Sequence, residues 1–502
     1  MGANADVRIA RRFHDLTTHT PHSVRTSTHT LDWDIKPFPF KIYTALPAVS
    51  LPREVAPVAV DTLAALEPGA FPPAPRLTLE QLTTVLYLAA GVTKKKTYPG
   101  GAEVLFRAAA STGALYQTEV YVAAGAVEGL EPGLYHFCPG DFTLRRLRAG
   151  DVRAPLSAAA AEPEVAGRAA TVVLTAIYWR NAWKYQARGW RHLYWDSGTM
   201  LANLTAVAGS LGLAPRVVTG FVDAHVNRLL GLDVDRETAL ELVTLGPSGP
   251  AASPVDALPD IRHDVMPLSP EEVDYPALRE IQRASMLESP EEVQAWRRSV
   301  PPAPRRPRRP LTPLPPARRQ AGRALDETIQ HRGSTRRFSQ AALGLTELAS
   351  TLWWATRPVA MDVPPGLVDV YLVANAVEDL KPGAWRYWPD THAVELLAEG
   401  EFRRQSAFLT LEQALGGDAA ATLFFLSPLD GLLAAYGNRG GRLANLEAGL
   451  IGGRAYLVAY ASGFGASGLT FYDREVVRFF SPHAEGLDAV FVTALGRAAR
   501  AS

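Results

Sequence analysis

Cysteine is nearly absent: Cys138 is the only one in 502 residues. A single thiol excludes a disulfide scaffold and every cysteine-rich zinc or iron–sulfur site. Net charge is absent as well, with 51 Lys plus Arg against 51 Asp plus Glu, so no overall field draws the chain to nucleic acid or a membrane surface. No uninterrupted apolar run approaches the roughly 20 residues of a membrane span. The polar stretch Met1–Phe13 lacks the apolar core of a signal peptide. These absences lead us to expect a cytoplasmic protein that binds neither nucleic acid nor membrane. His14, His19, His22 and His29 gather near the start, but no cysteine or acidic spacing accompanies them, and no metal site is expected. What is present is globular: 47% hydrophobic and 20% charged residues, with length for two to four domains.

Charge is balanced overall but not locally. Residues 297–319 hold eight prolines and eight arginines with no acid. Proline fixes φ and removes backbone donors, so this stretch should be extended and excluded from helix or sheet interiors. It reads as a solvated, stiff linker.

On either side of it the chain repeats. Val120–Tyr135 (VYVAAGAVEGLEPGLY) answers Val370–Trp385 (VYLVANAVEDLKPGAW), an offset of 250. R-x4-D-x-G from Arg191 answers R-x4-E-x-G from Arg442, an offset of 251. Leu79–Leu86 answers Leu345–Leu352 at 266, so the first copy carries sixteen extra residues between Leu86 and Val120. A period this long means two homologous domains rather than a solenoid. The organisation expected is an N-terminal extension (1–60), a first domain (61–255), a connecting segment (256–320) and a second domain (321–502).

Periodicity predicts helices at Leu77–Gly91 and Leu345–Ala355. Strands are predicted at Val120–Ala123, Leu134–Phe137, Glu241–Leu245 and their counterparts Val370–Val373, Trp385–Trp388 and Ala489–Leu495. They stand too far apart in sequence for simple hairpins. Gly198–Leu211 and Gly449–Ser462 predict long helices rich in small residues that must pack closely against something. Each copy therefore reads as α+β, a sheet wrapped by helices, and the pair as an intramolecular pseudo-dimer.

The sharpest local signal is His331–Phe338, HRGSTRRF. Two arginines four residues apart with a serine between them suit one phosphate: two guanidinium forks and a hydroxyl donor. With this segment the sequence resembles the FMN-dependent nitroreductase superfamily, whose members grip the flavin phosphate with an R-x-S-x-R-x-F stretch. The resemblance implies FMN as cofactor and Arg332, Ser334 and Arg336 as its phosphate ligands. It also implies that Gly463–Asp473, with Gly468 and Leu469, runs along the flavin ring, and that Arg497 at a strand end is a second phosphate arginine.

The first half resembles the SagB-type branch, the azoline dehydrogenases of peptide heterocycle biosynthesis. Ser111–Glu119 (STGALYQTE) is similar to that branch's ring-contacting segment, which implies flavin contacts from Ser111, Thr112, Gly113, Ala114 and Leu115. Thr112 and Thr118 depart from the branch's alanine and proline. Lys184 and Tyr185 fall where the branch carries its catalytic pair. Neither half repeats the other's motif: the counterpart of Arg332 is Leu66, and that of Ser111–Glu119 is Met361–Asp369. The resemblance thus implies one complete site per chain, with phosphate contacts from the second half and ring contacts from the first.

The reaction this implies is oxidation of a thiazoline or oxazoline to an azole in a peptide or peptide-like precursor: a proton leaves the α-carbon and a hydride leaves the neighbouring ring carbon. A free tyrosine, with pKa about 10, is a weak base at neutral pH, and a cation beside it would favour the phenolate. Neighbours on a helix do not face each other, so Lys184 and Tyr185 can converge only at a helix end or in irregular backbone. Two other readings stay open, an NAD(P)H-dependent nitro, quinone or ene reductase and a flavin-free scaffold. Open too are the electron acceptor, the association of the peptide-processing chain with a cyclodehydratase complex, and further pairing of the pseudo-dimer.

Overall fold

The computed structural model describes residues 2–97, 101, 103–253 and 258–499. Each half is built on a seven-stranded sheet in which all neighbours run antiparallel. The first contains β1 (Ala48–Ser50), β2 (Thr118–Ala124), β3 (Gly133–Cys138), β4 (Thr143–Ala149), β5 (Arg168–Ile177), β6 (Arg216–Val218) and β7 (Glu237–Ser248). Its spatial order is β1-β4-β3-β2-β5-β7-β6. The second contains β8 (Leu311–Pro313), β9 (Asp369–Ala374), β10 (Gly383–Trp388), β11 (Ala393–Glu399), β12 (Ala421–Ser427), β13 (Gly465–Gly468) and β14 (Asp488–Gly496). Its order, β8-β11-β10-β9-β12-β14-β13, repeats the first strand for strand. The fold is α+β in two tandem domains. The expected boundary at 255/256 lies outside the described residues.

The expectation of no simple hairpins fails. β3 with β4 and β10 with β11 are sequential antiparallel pairs joined across short turns. β4 carries Arg145, Arg146 and Arg148, and β11 carries Glu395 and Glu399, so neither stands out as an apolar run. Pairing to a neighbour, rather than apolar content, makes them strands.

In the first half the helices that position the site are α1 (Arg8–Leu16), α2 (Leu79–Ala90), α3 (Tyr178–Tyr185) and α4 (Gly189–Ser210). In the second they are α5 (Pro276–Ala284), α6 (Leu345–Ala355) and α7 (Gly440–Ala461). α4 and α7 are the small-residue helices, and what they pack against is each other. A Cβ at Gly198 would fall 2.5 Å from Leu446 O, and one at Gly449 would collide with the Trp195 backbone. Glycine at both positions lets the backbones touch. Beside the crossing, Trp195 Nε1 donates to Asn445 Oδ1 at 2.7 Å.

Around this crossing the two halves exchange equivalent contacts, as an isologous interface requires. Arg188 and Arg191 of the first half pair with Asp473 of the second at 3.0 and 2.6 Å. Arg439 and Arg442 of the second pair with Asp223 of the first at 2.6 and 2.7 Å. All six side chains are buried. The helices α1 and α5 are counterparts in the same pattern: Arg191 donates to His14 O and Thr17 Oγ1, and Arg442 to Gln282 O and Ser285 Oγ. Residues 8–50 and 276–313 thus take corresponding paths.

The Arg/Pro stretch is extended and largely exposed, as expected, but it is not a free spacer. Its Leu311–Pro313 joins the edge of the second sheet as β8, where a missing proline N–H costs nothing. Arg305 donates to His483 O and Glu485 O, and Arg309 to Leu396 O and Leu397 O. The arginines satisfy free carbonyls, and the segment is a strap laid along the second half. The extra stretch of the first half contributes two paired antiparallel arms, Val92–Thr97 and Glu103–Arg107, closed at their base by Ala108 N–H to Gly91 O at 2.9 Å. No helix among the described residues is long and apolar enough to cross a membrane.

Candidate active site between the halves

Ser111–Gln117 is a tight, irregular loop leading into β2. Gly113, Ala114 and Tyr116 all have positive φ, at 66°, 54° and 51°. For the latter two this is strained backbone that needs outside support. Asp196 on α4 supplies it. Its carboxylate accepts from Ser111 Oγ (2.5 Å), Thr112 N (2.9 Å), Thr112 Oγ1 (2.7 Å) and Gln117 Nε2 (2.7 Å). Burial nevertheless pushes this carboxyl up to about 6. Thr112, which departs from the branch's alanine, earns its place through its hydroxyl bond to Asp196. Thr118 is the first residue of β2, and its carbonyl accepts from Arg107 at 3.3 Å.

Lys184 and Tyr185 are the last two residues of α3, followed by Gln186 at φ 51°. The helix end that convergence requires is present. The Lys184 Nζ lies 5.4 Å from the Tyr185 ring centre, over its face rather than at its hydroxyl. The Tyr185 hydroxyl stands against Gly113, 3.0 Å from where a Cβ there would be. Its ring meets His192 edge-on at 4.5 Å, and His192 Nδ1 bonds Asn181 Oδ1 at 2.7 Å. Burial, reinforced by Asp196, pushes the Tyr185 phenol up to about 12, with Arg336 as the opposing cation. This shift runs against the phenolate that a cation at the hydroxyl would favour. Lys184 moves the other way: burial, then Arg336 and Lys36, lower its pKa.

Arg336 belongs to the second half, and its charge acts on both Lys184 and Tyr185 across the interface. Arg332 also crosses, but its guanidinium donates to Ala108 O (2.9 Å) and Arg107 O (3.0 Å), just before the Ser111 loop. Ser334 Oγ lies 3.1 Å from the Tyr456 hydroxyl, which accepts from Gly468 N at 2.6 Å. Tyr456 on α7 thus joins two of the expected cofactor contacts. Tyr460 lies parallel to it one turn on, 3.2 Å from Thr335 Oγ1. The sequence reading missed both. Their signal was a Y-x3-Y pair on one face of an otherwise small-residue helix. Leu469 is buried, its N–H bonded to Val492 O. Arg497 meets Glu347, its Nη2 donating to both carboxylate oxygens at 2.8 Å. Ala114 and Leu115 bring no side-chain hydrogen bonding to the loop. Cys138, at the end of β3, is buried with its thiol pushed up to about 11.

The corresponding place in the other half is closed. Val217 N bonds Ala360 O at 2.8 Å, Asp362 N bonds Val217 O at 3.1 Å, and the Asp362 carboxylate accepts from Thr219 N and Gly220 N. Arg454 then bonds Leu66 O and Arg357 O across the remaining gap. Among the described residues, the equivalent walls at 110–112 and 467–470 share no hydrogen bond. One of the two related clefts is zipped shut and the other is not.

The nitroreductase family model matches residues 70–246. A protein of Methanocaldococcus jannaschii described as a nitroreductase is 30% identical over 171 residues, spanning 34% of this chain and 81% of that one. The microcin B17-processing protein McbC of Escherichia coli is 29% identical over 129 residues, 24% of this chain and 47% of McbC. Over the whole chain, the crystal structure of an Anabaena variabilis protein described as a nitroreductase is similar at 26% identity and a TM-score of 0.77, covering 98% of this chain and 99% of that one. With a family match over its first half, a sheet topology that recurs in its second and a relative covered over four-fifths of its length, this chain belongs to the nitroreductase family.

Proposed function

We propose that this oxidoreductase binds one FMN per chain between its halves and oxidises thiazoline or oxazoline rings in a peptide or peptide-like precursor. The observation that carries the reading is the Lys184–Tyr185 pair set against Gly113 of the Ser111 loop, under the charge of Arg336 from the other half. The partial likeness to McbC, named for processing a microcin, supports the same substrate class. The donor set suits the cofactor: Arg332, Ser334 and Arg336 for its phosphate edge, and the rigid Ser111–Leu115 loop with Gly468 and Leu469 for its ring. FMN, when bound, supplies the two-electron hydride acceptor.

The chain's own residues handle the proton. Lys184, its pKa lowered by burial and by the Arg336 and Lys36 charges, is the better base for the acidic ring carbon. Tyr185, held protonated, donates a hydrogen bond to the ring nitrogen. Such a peptide is the product of a cyclodehydratase, which makes that enzyme a fitting partner. A second reading has its own observation: a phenol held protonated also suits proton donation during an NAD(P)H-driven reduction of a nitro, quinone or enone substrate.

The purified protein should be yellow with close to one flavin per chain, and two would overturn the single site. With a thiazoline peptide, Lys184→Ala and Tyr185→Phe should lower turnover by about 100-fold or more while flavin stays bound. Rapid bleaching by NADPH, with none by the thiazoline peptide, would move the assignment to the reductase.

A further inference from the structure

The hairpin Val92–Arg107 occurs in the first half alone, and it stands over the segment that the second half alone possesses. Lys94 on its first arm donates from Nζ to His331 O at 3.2 Å, beside Arg332. Its neighbour Lys95 is neutralised by Glu103 at 2.6 Å. Among the described residues Lys94 has no carboxylate within ion-pair distance. The charge that reaches it is that of Arg332, which together with burial lowers its pKa.

The phosphate expected beside it draws on Arg332, Ser334 and Arg336, and the charge of Arg336 is shared with Lys184 and Tyr185. A phosphate monoester carries about −1.5 to −2 at neutral pH. Arg332 has already committed Nε and one terminal nitrogen to the carbonyls of Ala108 and Arg107. Arg497, the arginine that the family resemblance would place there, gives its Nη2 to both carboxylate oxygens of Glu347. Lys94, with no carboxylate partner among the described residues, stands next to this segment through its bond to His331 O.

We propose that Lys94, carried on the inserted hairpin, is a phosphate ligand of the FMN site and takes the place of Arg497. This rests on the flavin reading above. The hairpin then has a function: it brings a first-half cation to a second-half phosphate segment, and the closed cleft of the other half lacks both.

Flavin-stripped full-length protein should be titrated with FMN and with riboflavin, which has the ring but no phosphate, following flavin fluorescence. Lys94→Met should weaken FMN by about tenfold, the worth of one charge-assisted contact, and leave riboflavin within about twofold. Arg497→Gln should leave both unchanged to the same margin. Unaltered FMN affinity in Lys94→Met, or equal losses for both flavins, overturns the assignment. A tenfold loss of FMN alone in Arg497→Gln restores the family arrangement and also overturns it. Wild-type protein that binds neither flavin overturns the flavin reading itself.

Discussion

Asp196 does for the site what no neighbouring residue can. Three left-handed residues, Gly113, Ala114 and Tyr116, stand in a loop held by one buried carboxylate on the central helix. Asp196→Asn puts an amide N–H where Thr112 N, Thr112 Oγ1 or Ser111 Oγ now donates. A buried donor without an acceptor costs about 1–3 kcal/mol, and thermal unfolding should register that loss. The charge also acts on Tyr185, whose phenol it helps to raise. Removing it lowers the Tyr185 pKa, so the alkaline limb of the pH–rate profile should move to lower pH. A profile that stays in place would show that Asp196 only supports the loop. The Ser111 loop and the HRGSTRRF segment were legible as local strings. Asp196 was legible only as part of a repeated D-x-G, because its bonding partners lie some 80 residues earlier in the chain. Tyr456 was invisible for the same reason: its partners, Ser334 and Gly468, lie on separate segments.

At the scale of elements, the crossing of α4 and α7 fixes where the two walls of the cleft stand. The sequence predicted that these helices pack tightly, since only small residues permit it. It could not say that their partners were each other, because nothing local encodes a contact between positions 198 and 449. Gly449→Val places a branched side chain against the Trp195 backbone. The helices must then separate, at a cost of about 3 kcal/mol. The denaturant midpoint should fall accordingly, and flavin should be lost with it, because α4 carries Asp196 and α7 carries Tyr456. The hairpin was legible as a length difference between the copies, while its place over Arg332 depended on the docking of the halves. The strands β4 and β11 were missed because arginines and glutamates interrupt the apolar alternation that marks a strand.

The whole molecule is held by two mirrored clusters, each an aspartate between two arginines. Burial would raise the Asp473 carboxyl, but Arg188 and Arg191 overcome it and hold it at about 2, below the ordinary 3.8. A carboxyl lowered in this way stabilises the fold at pH values above 4 and loses that stabilisation as pH falls toward 2. The stake is about 2 kcal/mol. Thermal midpoints measured from pH 5 to pH 2 should drop, and Asp473→Asn should start lower and depend less on pH in that window. An unchanged slope would remove this cluster from the acid response. The repeat was readable from the sequence at this scale, as was the asymmetry of its motifs. The ion pairs were not, because Arg191 and Arg442 recur in register while the aspartates they meet sit in the opposite copy.

That both halves lie on one chain has a consequence for how the site comes together. When the walls of a cleft belong to separate chains, dilution pulls them apart, and every substitution appears on both sides of the interface at once. Here the second wall is tethered at a high effective concentration that the bulk concentration does not set. The halves are also free to change one at a time. Arg454 could seal one cleft without touching the other, and the hairpin could be added above one phosphate segment alone. A single covalent crossing has turned a symmetric pair into a molecule with a front and a back.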